Sequence, residues 1–122
     1  MGLFNLLDNM VDFRFAFYGL TKKIHEMKNS KIEYWSSETD KPPLLLIHAF
    51  GADCKYSWFK QIRTLSKKYR LIIPNLLYFG ASDRNPKSYK IEDQVEAISK
   101  LLQELKIKEL SLKTLKNFLR SL

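Results

Sequence analysis

Apolar residues recur in steps of three and four through the first part of the chain: Leu3, Leu6, Met10, Phe13, Phe17, Leu20, Ile24 and Met27. This spacing predicts one amphipathic helix within residues 1–30, its stripe widened by Phe4, Leu7, Val11 and Tyr18. From Lys31 to Ser37 polar and apolar residues alternate, as in a half-buried strand. Ser36 to Pro43 is rich in turn residues. Leu44-Leu45-Leu46-Ile47 is an unbroken apolar run ending at His48, the pattern of a strand buried on both faces of a parallel sheet. Beyond Gly51, Trp58, Phe59, Ile62, Leu65 and Tyr69 return to helical spacing from Lys55 onward. A second buried strand, Leu71-Ile72-Ile73, stops at Pro74, and a loop with Gly80, Ser82 and Pro86 follows. Ile91, Val95, Ile98, Leu101, Leu102 and Leu105 mark another amphipathic helix, and a third short strand is expected near Glu109 to Leu112. Strand, helix, strand, helix, strand implies right-handed crossovers. The expectation is an α/β fold: a mostly parallel sheet of about four strands with flanking helices, preceded by the opening helix.

Composition narrows the function. With 122 residues, 45% of them hydrophobic, the chain fits a single globular domain. Cys54 is alone, so no intrachain disulfide forms; with only His25 and His48 beside it, no structural zinc site is expected. No cofactor motif is present. The net charge is +8, but the lysines and arginines are dispersed and no run of five like charges occurs. That describes a solvated basic surface rather than a nucleic-acid interface. Asp8, Asp12 and Arg14 interrupt any secretory or membrane-spanning segment, which needs about 20 largely apolar residues. The expected location is cytoplasmic, peripheral to a membrane if residues 1–27 lie on lipid.

The opening helix leaves two readings. Its aromatic tip, Phe13 to Tyr18, followed by Lys22-Lys23, suits a bilayer interface or a partner protein. A broad apolar stripe equally suits packing against its own domain or a second copy.

Two motifs then carry a family resemblance. Leu44 to Gly51, with His48-Ala49-Phe50-Gly51 at its end, resembles the strand and oxyanion turn (His-Gly-x-Gly) of the α/β-hydrolase superfamily. Ile73-Pro74-Asn75-Leu76-Leu77-Tyr78-Phe79-Gly80-Ala81-Ser82 is similar to that superfamily's following loop, Pro-Asp-Leu, two residues, then Phe-Gly-x-Ser. The resemblance covers residues 31–112. It implies relatives that hydrolyse carboxylic esters or acylglycerols by a serine-type mechanism, with epoxide hydrolases and dehalogenases sharing the motifs. It implies a small ester-like substrate in intact relatives, and an oxyanion-hole loop at His48, Ala49, Phe50 and Gly51 with Phe50 supplying a backbone N–H. Pro74, Asn75, Gly80 and Ser82 are the matching loop residues.

This chain departs from the pattern in three places. Ala49 stands where the turn usually has glycine, and Asn75 replaces the usual aspartate. More consequential is the stretch after Leu112, where relatives carry Gly-x-Ser-x-Gly or an aspartate nucleophile. Here it reads Lys113-Thr114-Leu115-Lys116-Asn117-Phe118, with Lys116 at the nucleophile position and Phe118 at a glycine. Ser82 lacks the flanking second glycine, which is Arg84, and is assigned a loop role. Cys54 lies near a helix start, where thiol pKa values can fall, though core or surface packing suits it better. No catalytic residue is therefore assigned, and the chain alone is expected to be inactive. The abrupt loss of the match predicts truncation or a frame change, with residues 113–122 a divergent helical tail. The strand near Leu112 would then have an unpaired edge, favouring self-association. The alternative is a non-catalytic module that binds a membrane surface or a partner through the opening helix.

Overall fold

The computed structural model describes residues 2–27, 30–48, 53–77, 82, 91–107 and 111–114. In chain order the elements are α1 (Gly2–Phe17), β1 (Leu20–Met27), β2 (Ser30–Ser37), β3 (Pro43–Ile47), α2 (Cys54–Trp58), α3 (Ile62–Leu65), β4 (Arg70–Pro74), α4 (Ile91–Glu104) and β5 (Ser111–Thr114). Five strands form one sheet in the order β1-β2-β4-β3-β5. β3 pairs parallel with β4 and with β5, while β2 pairs antiparallel with β1 and β4.

The two short apolar runs explain the layering. Successive strand residues point to opposite faces. Leu44, Leu46, Leu71 and Ile73 therefore face one core, with Trp58 and Ile62 from α2 and α3 and Val11 and Phe15 from α1. Leu45 and Ile72 face the other, with Ile32, Tyr34 and Ala97, Ile98 and Leu101 of α4. Burial on both faces is what makes these strands read as continuous apolar runs.

The single helix expected over residues 1–30 is corrected. It ends at Phe17, and residues 20–27 are β1, paired along its full length with β2 from Leu20↔Ser37 to Met27↔Ser30. Gly19, at φ +87°, is the stop: it takes a left-handed conformation that closes the helix and turns the chain. Leu20, Ile24 and Met27 continued the helical spacing by coincidence. β1 raises the strand count from about four to five and supplies one of the two antiparallel ladders.

Two smaller differences follow. The stripe from Lys55 is carried by two short helices, α2 and α3, whose Trp58 and Ile62 keep helical spacing across the turn between them. The third short strand, expected near 109–112, is β5 at Ser111–Thr114; residues 108–110 lie outside the described residues. α4 ends in a tight left-handed turn at Lys106 (φ 59°), with Lys106 N–H donating to Gln103 O and Ile107 N–H to Leu102 O, both at 3.0 Å. Lys113 and Thr114, placed by sequence in a helical tail, belong to β5; the rest of that tail, residues 115–122, lies outside the described residues.

Candidate active site

The chain leaves β3 for β4 across one face of the sheet and leaves β4 for β5 across the other. β3 and β4 are thus adjacent strands whose outgoing connections cross opposite faces of the sheet. In open α/β sheets this switch point is where ligands bind. In this sheet it falls at Ile47 and His48, with Ile47 paired to Thr114 across the ladder. The expected oxyanion turn begins at this point. Of its four residues only His48 is among those described; Ala49, Phe50 and Gly51 lie outside them, as do Gly80 and the position of Lys116.

His48 is buried, and its Nε2 accepts the Leu76 backbone N–H at 2.9 Å. A backbone N–H only donates, so Nε2 is unprotonated and its lone pair is occupied. The imidazole ties the end of β3 to the segment leaving β4. It is a positioning group, with no capacity left at Nε2 for taking a proton from a nucleophile.

Asn75, directly after β4, is the centre of a second cluster. Its Oδ1 accepts the Cys54 N–H at 2.8 Å, holding the start of α2, and its Nδ2 donates to Glu33 Oε1 at 2.7 Å. Its own N–H donates to Glu33 O at 2.8 Å. Ser82 closes the cluster: its hydroxyl donates to Asn75 O at 2.8 Å and accepts the Glu33 N–H at 2.9 Å. Both hydrogen-bonding directions of Ser82 are committed to backbone, and the side chain is buried. Pro74, fully buried, ends β4 opposite Tyr34. Three of the four residues of the sequence motif, Pro74, Asn75 and Ser82, are therefore brought together, and Glu33 joins them from β2.

Glu33 carried no signal in the sequence. The alternation of residues 31–37 put it on the polar side of a strand, but its partner Asn75 is 42 positions away. Gln94 was equally silent. Its Oε1 accepts the Leu77 N–H at 2.8 Å and its Nε2 donates to Leu77 O at 3.1 Å, pinning the loop after β4 to α4. A cavity of about 330 Å³ lies between β3, this loop and α4, walled mainly by Leu45, Ile47, Leu76, Val95 and Ile98, with His48 and Gln94 at its polar edge. Its walls suit a hydrocarbon group, since His48 Nε2 and the Gln94 amide already have partners.

Cys54 is fully buried, an environment that disfavours the thiolate. Burial raises its pKa well above the ordinary thiol value, and the charges of Asp53 and Glu33 add to the effect. The Lys55 charge and the backbone hydrogen bond at the start of α2 pull it down, but burial of the fully enclosed sulfur outweighs them. Among the described residues no group of three His, Cys, Asp or Glu side chains is placed to hold a metal ion.

Residues 42–112 match the family profile described as alpha/beta hydrolase fold. Among solved structures, a membrane phospholipase A described as a bacterial virulence factor superposes with a TM-score of 0.79 at 28% identity, covering 90% of this chain and 36% of that one. Coverage that high takes in part of residues 1–30, which the motifs alone had left outside the resemblance. A putative lipase from Acinetobacter baumannii AYE superposes with a TM-score of 0.76 over 86% of this chain and 36% of its own; at 20% identity it shows the fold alone. The magnesium-chelatase 30 kDa subunit of Rhodobacter capsulatus is 35% identical over 80 residues, 62% of this chain and 28% of that protein. Epoxide hydrolase 4 of Mus musculus is 33% identical over 72 residues, 57% of this chain and 20% of that protein. The chain thus spans less than a third of the length of these curated relatives.

Proposed function

The chain belongs to the alpha/beta hydrolase fold family, and on that premise we propose that residues 1–122 supply the oxyanion side of a hydrolase of carboxylic esters bearing acyl chains. The observation that carries this reading is the apolar cavity beside His48 at the carboxyl end of β3. A scissile carbonyl placed over the β3 end has room for its acyl group along α4. The likeness to a phospholipase A, at 28% identity over 90% of this chain, is the ground for taking a lipid ester as substrate, with an epoxide as the alternative given 33% identity over 57% of the chain to an epoxide hydrolase.

In acyl transfer a nucleophile attacks the carbonyl carbon, and the negative charge passes to the carbonyl oxygen. Two backbone N–H groups hold that oxyanion, one from the residue after the nucleophile and one from the turn after β3. We assign the second donor to Phe50. His48 positions the turn through Leu76, and Asn75, Glu33 and Ser82 fix the adjoining loop. Residues 113–118 contain no Gly-x-Ser-x-Gly and no aspartate, and Lys116 offers neither hydroxyl nor carboxylate. Turnover therefore requires a nucleophile, an acid and a base from outside these residues. The purified 122-residue chain is expected to release nitrophenol from p-nitrophenyl butyrate and dodecanoate no faster than buffer. Release that scales with protein concentration through several turnovers overturns the reading.

A further inference from the structure

Helix α1 has two apolar faces, and among the described residues only one is packed into the core. Val11 and Phe15 are buried in the core, with the Phe15 ring edge-on to Trp35 at 5.0 Å between centroids. Around them the helix is bolted to α2: Lys55 Nζ meets Asp12 at 2.8 Å and Asp8 at 3.3 Å, Tyr56 donates to Asp8, and Arg14 Nε donates to Phe59 O at 2.6 Å. These contacts fix the rotation of the helix about its axis. The stripe that sequence periodicity singled out consequently points into solvent: Leu3, Leu6, Met10, Phe13 and Phe17 are 55–70% exposed.

We propose that this outer stripe of α1 docks the chain on an anionic lipid surface. The stripe runs the length of the helix, about 24 Å at 1.5 Å per residue. Its side chains stand at steps of three and four, so one plane touches them all. Both carboxylates of α1 are paired with Lys55 on the opposite side, which keeps negative charge out of the stripe. The chain as a whole carries +8. An acid-free apolar stripe on a basic protein is complementary to an anionic interface, where rings enter the headgroup boundary and cations meet lipid phosphates. At the end of the stripe Phe13, Arg14, Phe17 and Tyr18 line a hollow of about 270 Å³, which sets a guanidinium among three rings. With 16 residues α1 lies on the surface, and no helix among the described residues is long and apolar enough to cross a membrane.

The test is flotation of the full 122-residue chain with vesicles of phosphatidylcholine and phosphatidylglycerol (roughly 7:3), and of phosphatidylcholine alone. The chain is expected to float with the mixed vesicles, several-fold less with the neutral ones, and less as salt is raised. Phe13→Ser and Phe17→Ser are each expected to lower partitioning about tenfold, the effect of withdrawing one phenylalanine from an apolar site. Circular dichroism should match the parent, because both rings are outside the core. Ile24→Ser, which removes an aliphatic group 52% exposed on β1, should leave partitioning unchanged. Absence of flotation, or equal losses in all three variants, overturns the proposal. So does a dimer that Phe13→Ser dissociates in a chain that ignores vesicles. Binding is read without substrate, so failure of flotation leaves the hydrolase reading standing, and the reverse also holds.

Discussion

Replacing Asn75 by aspartate is expected to destabilise the chain by about 2–4 kcal/mol at pH 7, from loss of a charge-assisted hydrogen bond and the approach of two carboxylates. The α/β-hydrolase pattern carries aspartate at this position, so a comparison by motif alone would rate the change as harmless. The local structure says otherwise. Asn75 Nδ2 donates to Glu33 Oε1 at 2.7 Å, a bond no ionised aspartate can make, while Oδ1 still serves the Cys54 N–H. Burial and like charge raise the pKa of the introduced carboxyl in the folded state above its unfolded value. The variant therefore recovers stability as pH falls and loses it as pH rises through that folded-state pKa. Urea unfolding at pH 7 and pH 5 measures the trend, and adding Glu33→Gln should remove most of the deficit. A variant as stable as the parent at both pH values contradicts the pairing.

Phe15→Ala is expected to cost about 3–5 kcal/mol, the range for emptying a buried aromatic site. Phe13→Ala and Phe17→Ala, two positions to either side, should each change stability by less than about 0.5 kcal/mol, as exposed substitutions do. Domains of this size have about 5–15 kcal/mol in total, so the first change is a large fraction and the others are not. The contrast follows from exposure: Phe15 is fully enclosed, Phe13 and Phe17 are 70% and 69% exposed. Equal effects in chemical denaturation would mean that α1 presents a different face to the sheet, with Phe15 no longer turned inward.

These three phenylalanines also mark the limit of what periodicity can tell. Residues 2–17 are apolar on more than one side, so spacing identifies a helix without choosing its inward face. The choice is made by Asp8, Asp12 and Arg14, which find Lys55, Tyr56 and Phe59 more than 40 positions away. By contrast Leu44–Ile47 and Leu71–Ile73 were legible because burial on both faces is written into consecutive residues. Gly19 was a local signal that the stepping of Leu20, Ile24 and Met27 concealed. Within the site, Pro74, Asn75 and Ser82 were legible as a motif, whereas Glu33 and Gln94 act through long-range or loop-to-helix bonds that leave no local pattern.

The central proposal is that residues 1–122 build the oxyanion side of the site and carry no side chain that attacks a carbonyl. Intact-mass spectrometry after incubation with a fluorophosphonate probe tests it most directly, because an activated serine is trapped irreversibly even where turnover is slow. The account predicts the unmodified mass of the folded chain. A stoichiometric phosphonyl adduct that disappears on prior denaturation would contradict it.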